Sequence, residues 1–200
     1  MTPSRDWTEI RWADASPAEV SRWIAVLPLA ATEQHGPHLP LETDVLIAEA
    51  YLARVRELLP ESAPASFLPV EPIGISTEHI DYPGTQTLPT DIALKKWTAI
   101  GEDVARRGLK KLVIITSHGG NSAAMMLVAQ DLRAHRKLFV VTTSWSRLSG
   151  ADKLFPADEV RHGIHGGAIE TSIMLARYPA RVRGDAIADF PASSIAMEQQ

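Results

Sequence analysis

At 200 residues, with 45% hydrophobic and 22% charged side chains, the chain has the length and composition of a globular protein with one sizeable core. Twenty basic residues against 24 acidic ones leave a net charge of −4, and no basic face stands out, so nucleic-acid binding has no electrostatic support. The sequence holds no cysteine, which excludes disulfides, thiolate metal ligands and a cysteine nucleophile. No stretch approaches the roughly 18 apolar residues of a membrane span, and the N-terminus lacks a basic segment leading into an apolar run. A cytoplasmic protein of one domain over residues 1–200 is therefore expected, with no nucleic-acid or membrane partner.

Along the chain, Trp23 to Ala30 is a short apolar run that reads as a buried strand. Pro28 inside it suggests a position near an edge or an end. A loop with Gly36, Pro37 and Pro40 follows. Thr43 is placed to cap a helix whose stripe is Val45, Ala48, Leu52, Val55 and Leu59, ended by Pro60. Phe67 to Ile75 is a second apolar run, broken by prolines and Gly74, and a long loop from Ser76 to Pro89 turns at Pro83-Gly84-Thr85. Thr90 is read as the cap of a helix with Ala93, Trp97, Ile100 and Val104 on its stripe and Gly108 just past its end. Leu112 to Thr116 is the clearest buried strand, Ser117-His118-Gly119-Gly120-Asn121 turns the corner, and Met125, Val128 and Leu132 mark the next helix. Leu138 to Thr143 is another strand, a polar loop runs from Ser146 to His165, and a helix spans about Gly167 to Arg177. The tail from Ser193 to Gln200 reads as the first turns of a helix, or as a frayed end, and the sharper reading is a domain lacking its C-terminal end.

Strands alternating with helices predict an α/β fold with a mainly parallel sheet. In such sheets ligands sit beyond the carboxyl ends of the strands. Three loops leave those ends, 31–42, 117–121 and 144–166, and they hold most of the unusual polar residues.

Glu33 and His35 are two apart, so on an extended segment both point the same way, and Asp44 opens the following helix. Imidazole and carboxylate together suit zinc, manganese or iron. The plain alternatives are a polar surface loop and, for Asp44, an acid favoured by the helix dipole. His118 projects from the end of the best strand. The glycines beside it allow close backbone approach, or a phosphate cradle at a helix start, although no nucleotide-binding glycine motif is present. Asn121 is as well explained by capping as by a substrate contact. Glu170 falls in the first turn of a helix, beside His162 and His165, two histidines within four residues flanked by three glycines. Ser76 and His79 in the long loop, Gly119, and Trp145 at a strand end are the candidate substrate contacts. For His79 a solvated loop position is the alternative, and for Trp145 ordinary packing.

Together, Glu33-Gln34-His35-Gly36-Pro37-His38-Leu39-Pro40 through Asp44, then His118-Gly119-Gly120-Asn121, then His165-Gly166-Gly167-Ala168-Ile169-Glu170-Thr171-Ser172 resemble the creatininase (creatinine amidohydrolase) family. Tyr82-Pro83-Gly84-Thr85 is also similar to that family's pattern. The resemblance implies a three-layer α/β/α fold, two divalent metal ions per chain (zinc, manganese or iron), a small-molecule substrate and a homohexamer. Family members hydrolyse creatinine, deformylate a formamidopyrimidine intermediate, or trim a peptide-derived cofactor precursor. By the same resemblance Glu33, His35, Asp44, His118 and Glu170 are the metal ligands, with Asp44 bridging, and His165 is an acid/base or substrate contact. Creatininase itself has a glutamate where this chain has Gly120, a departure that counts against creatinine as the substrate, whereas Trp145 resembles that enzyme's aromatic wall. A non-catalytic metal-binding or assembly subunit of the same fold is the competing expectation.

Overall fold

A computed structural model describes residues 1–198; the end of the tail expected to be helical, Gln199 and Gln200, lies outside the described residues. Ser16 and Glu19 form a reciprocal capping box around helix α1 (Pro17–Val20), with Pro17 in the first turn. Strand β1 (Ile24–Leu29) leads to helix α2 (Thr43–Leu58), strand β2 (Ala65–Phe67), helix α3 (Thr90–Arg106), strand β3 (Lys111–Thr116), helix α4 (Ser122–Arg136) and strand β4 (Phe139–Ser144). Helices α5 (Ala157–His162), α6 (Ala168–Arg177) and α7 (Ser193–Glu198) follow. The polar segment expected to be loop from Ser146 is thus broken up by α5 and by short 3-10 turns at Ser146–Leu148 and Ala151–Lys153. Their apolar residues are sparse, so no helical stripe marks them in the sequence.

All strand pairs are parallel, in the order β2-β1-β3-β4. Alternation along the strands sorts side chains to two faces. Ala25, Leu27, Leu29, Leu112, Ile114 and Val140 join Trp97, Val104, Val128 and Leu132 in the main core, beneath α3 and α4. Val26, Phe67 and Ile115 pack with Leu52 of α2 and with Trp145 on the other face. Helices therefore cover both faces of the sheet, the three-layer arrangement that the sequence predicts. Among the described residues no helix is long and apolar enough to cross a membrane.

Pro28 sits in a strand paired on both sides, yet one residue from its end and past the end of β2. Its carbonyl accepts from Glu71 N–H on the β2 side, so the missing proline N–H falls where no ladder partner is required. The apolar run after β2 forms no regular strand, because Pro69 and Pro72 interrupt it; only an isolated bridge joins Leu29 to Glu71. Neither Thr43 nor Thr90 caps its helix. Glu42 and Pro89 hold those positions, and the Thr43 hydroxyl donates to Pro40 O instead. Gly108 closes α3 at φ +99°, a left-handed conformation that favours glycine.

The first connection runs from β1 to β2, and the next crosses back over β1 to β3. The strand order therefore reverses between β1 and β3, and a crevice opens at their carboxyl ends. Asn121 secures the walls of that crevice. It stands at the cap position of α4 but makes no capping bond. Its buried amide accepts from Ile75 N–H at 2.9 Å and donates to Ala30 O at 3.0 Å and to Thr116 Oγ1 at 3.2 Å. Three loops are thus tied by one side chain. Replacing Asn121 with Ala leaves buried backbone groups unsatisfied at about 1–3 kcal/mol each. Urea unfolding of Asn121→Ala is expected to show a loss of roughly 2–4 kcal/mol, and a loss below about 0.5 kcal/mol would remove the clamp from this account.

Candidate metal centre

Glu33 and His35 lie just beyond β1, held by a backbone bond from Glu33 N–H to Leu41 O and by a bridge between Thr32 and Gln86. Asp44 is in the first turn of α2, and Ser117 at the end of β3 donates its hydroxyl to Asp44 O at 2.9 Å. His118 follows Ser117, and Glu170 comes in from the first turn of α6. That last approach needs Gly166: at φ +63° its backbone packs against His35, where an added Cβ would stand 3.2 Å from His35 O.

The five residues converge. His118 Nδ1 lies 3.1 Å from Glu33 Oε1 and 3.5 Å from Asp44 Oδ2. His35 Nε2 lies 3.9 Å from Asp44 Oδ1 and 3.7 Å from Glu170 Oε2. Asp44 thus presents one oxygen to each histidine and stands between two halves, Glu33 with His118 and His35 with Glu170. Glu33, His35, Asp44 and His118 are all at most 5% exposed.

Main-chain carbonyls fix both histidines. His35 Nδ1–H donates to Glu33 O at 3.1 Å, and His118 Nε2–H donates to Ile75 O at 2.8 Å. In each ring the nitrogen not used in that bond is the one that faces the carboxylates, the atom a metal ligand would present once deprotonated. Both Glu33 oxygens, His35 Nε2 and Asp44 Oδ2 are buried without a hydrogen-bond partner. Buried polar atoms are rarely left so. The donor set, its tautomers and its orphaned atoms fit a divalent cation.

The electrostatics agree. Burial raises the Glu33 carboxyl, but His118 beside it outweighs that and holds it at about 2. Burial and the neighbouring His165 push His35 down to about 3, so this ring is neutral. Burial opposes the charge on His118, yet Glu33 and Asp44 raise it to about 9. Burial, reinforced by Glu170, lifts Asp44 well above the usual carboxylate range, and burial lifts Glu170 to about 7. Without a cation the cluster retains protons that shield its negative charge.

Around this centre lie the remaining predicted residues. His165 is partly buried; its Nε2–H donates to Gln34 O at 2.6 Å, and its Nδ1 faces Glu33 Oε1 at 3.4 Å. His79 does not lie out in solvent. Its ring stacks on His165 at 4.0 Å, and its Nε2 is 3.8 Å from Glu33 Oε1. Gly119 has open space on its side-chain face. Ser76 is fully buried behind His118, with Oγ 3.5 Å from Nε2. Trp145 stacks on Tyr51 at 5.0 Å within the apolar core on the α2 face. A side chain at Gly120 would collide with Ile75 O, His118 Nε2 and Glu78 Oε1, so the turn has no room for one. Two further residues of the site were not among the candidates. Glu78 reaches His118 Nε2 at 3.3 Å, and Gln34 contacts both His79 and His165.

The family profile described as Creatininase: Creatinine amidohydrolase matches residues 8–200. The chain is 33% identical over 166 residues to the mycofactocin precursor peptide peptidase of Mycobacterium tuberculosis (strain ATCC 25618 / H37Rv), covering 79% of this chain and 60% of that protein. It is 31% identical over 184 residues to the creatinine amidohydrolase of Pseudomonas putida, covering 84% of this chain and 69% of that protein. Among solved structures, a creatininase mutant described as Zn-Zn type superposes with a TM-score of 0.76 at 30% identity, over 95% of this chain and 79% of that one. The chain thus spans about 60% of the length of the peptidase relative it matches.

Metal uptake requires deprotonated ligands. Because His118 and Glu170 titrate near 9 and 7, binding of Zn²⁺ to metal-free protein at pH 7 is expected to release protons. Affinity is expected to rise as pH goes from 6 to 9. Calorimetry in buffers of different ionisation enthalpy measures both, and a proton-neutral, pH-independent binding would contradict this assignment of charge.

Proposed function

The chain belongs to the creatininase family, and from that premise we propose that it is a metal-dependent hydrolase of a carbon–nitrogen bond in a small molecule, with Glu33, His35, Asp44, His118 and Glu170 as ligands to two divalent ions. The observation that carries the reading is the buried cluster itself, whose orphaned oxygens and lone-pair nitrogens all face one another. Five ligands, one of them shared, are too few to close two sites, and open coordination positions are the mark of catalytic rather than structural metal. Zinc, manganese and iron all suit this donor set. The substrate classes that fit are a cyclic amide or amidine, a formamide, and a peptide-like amide; the peptidase and amidohydrolase names of its relatives support that range.

A divalent ion supplies Lewis acidity toward a carbonyl or amidine and a water of lowered pKa. The chain's own residues do the rest. Asp44, with an oxygen toward each half, fixes the spacing of the site. His165 Nε2–H donates a hydrogen bond to the Gln34 carbonyl, which leaves the Nδ1 lone pair toward the centre. Burial, reinforced by the neighbouring His79 ring, lowers its pKa, so the ring is neutral at pH 7 and ready to accept a proton. It takes that proton from the attacking water and returns it to the departing nitrogen. His79 and the open face of Gly119 are the surfaces left for the substrate.

Elemental analysis decides the metal. Near two ions per wild-type chain are expected, with loss of both in Asp44→Ala and of at least one in His118→Ala; a wild-type chain that stays empty after reconstitution ends the proposal. For His165→Asn, metal content is expected to be unchanged while kcat falls by about 10²–10⁴. The wild-type kcat/KM should decline on acidification only below the ordinary histidine value of 6.5, because the working form is neutral and its pKa is depressed. A decline centred above 6.5 would assign that limb to another group.

A further inference from the structure

We infer that Gln34 is a positioning residue that sets the two imidazoles flanking the centre to opposite tasks, His165 as proton acceptor and His79 as hydrogen-bond donor to the substrate oxygen. The inference deepens the amidohydrolase proposal and rests on it for the word substrate, while the hydrogen-bond polarity stands on geometry alone.

The argument begins with the orientation of the Gln34 amide. Gly36 N–H donates to Gln34 Oε1 at 2.9 Å, so that end of the amide is the oxygen and the other is the NH₂. The NH₂ lies 3.1 Å from His79 Nδ1. An NH₂ can only donate, so His79 Nδ1 carries the lone pair and the ring proton is on Nε2. That Nε2 faces Glu33 Oε1 at 3.8 Å, on the side of the metal cluster. His79 therefore aims an N–H at the centre.

His165 has the same tautomer and presents the opposite atom. Its Nε2 is 2.6 Å from the Gln34 carbonyl, a separation that requires Nε2–H as donor. Its 3.1 Å distance to the Gln34 NH₂ is then a contact between two donors rather than a hydrogen bond. The free Nδ1 faces Glu33 Oε1 at 3.4 Å. One residue thus holds both rings, by its side chain on one and its main chain on the other.

The two rings and Glu33 have donor atoms within 4.8 Å of one another, which invites a third metal site. The stacking argues against it. The rings lie 4.0 Å apart and 19° from parallel, so their in-plane nitrogen directions run side by side and do not converge on one ion. Side-by-side N–H and lone pair suit instead a substrate oxygen next to a water. A donor aimed at developing oxygen charge stabilises the transition state of acyl transfer. Such a donor must not compete as an acceptor, which is what the Gln34 amide prevents.

The test is ring ¹⁵N NMR on the metal-loaded chain, with signals assigned through His79→Gln and His165→Asn. Wild type is expected to show His79 protonated at Nε2 with Nδ1 bare. Gln34→Glu offers Nδ1 an acceptor, so His79 Nδ1 should become protonated, while His165 keeps its Nε2 proton because its partner is a main-chain carbonyl. Gln34→Met removes the donor without adding charge; it should shift the His79 signals only and lower kcat/KM about tenfold or more at unchanged metal content. A wild-type His79 protonated at Nδ1, or His79 signals unmoved in both variants, overturns the inference. A chain with the predicted ring signals and bound metal that cleaves no amide would instead defeat the amidohydrolase proposal and leave the ring assignment standing.

Discussion

The structure is organised around a buried cluster of carboxylates and imidazoles. Three carboxylates and two histidines are brought together at the carboxyl ends of β1 and β3, and several of their polar atoms are sealed from water with no partner. In a low-dielectric setting each such atom is a cost of kilocalories, and three negative charges together multiply it. The raised pKa values of Asp44 and Glu170 are the response of the metal-free chain, which binds protons where it lacks a cation. Much of the rest of the fold is arranged so that this cluster cannot relax. The Ser117 hydroxyl pins the start of α2, Gly166 admits α6 against the His35 backbone, and Asn121 ties the loops after β1 and β2 to the end of β3.

The sheet explains why the cluster lies where it does. With strand order β2-β1-β3-β4, helices leave β1 toward one face and β2 and β3 toward the other, and the loops part between β1 and β3. That gap receives Glu33 and His35 from one side and His118 from the other. Nearby backbone carbonyls that no sheet ladder uses then take the outer N–H of His35, His118 and His165. Loop carbonyls that would otherwise need water thus become the second layer of the site.

These relations were unevenly legible in the sequence. The spacing of Glu33 and His35 placed both on one side of an extended segment, and the strand ending at Thr116 placed His118 at the sheet edge; both geometries hold in the structure. Glu170 was readable as a first-turn acid, equally able to lie at the surface or to face the site, and in the structure it points to His35. Strand and helix order followed from apolar period alone, since β1 and β3 alternate cleanly between two cores. What was not readable depends on contacts between residues distant in the chain. Asn121 looked like a cap because cap and clamp use the same amide. His79 looked exposed because its loop is polar, yet the bridge between Thr32 and Gln86 folds that loop back over the centre. Gln34 and Glu78 carry no motif of their own, and α5 has no stripe to announce it.

The surroundings of Gly120 show how tightly the turn after His118 is packed. An added side chain there would meet the Ile75 carbonyl and the Glu78 carboxylate. The turn can be glycine because Glu78, from a different loop, fills the space beside His118 Nε2. A carboxylate thus stands at this edge of the cluster, carried by the partly exposed 3-10 turn Thr77–His79 of the 76–89 loop. Loops set on a rigid scaffold carry function, and the 76–89 loop brings both Glu78 and His79 to this edge of the cluster.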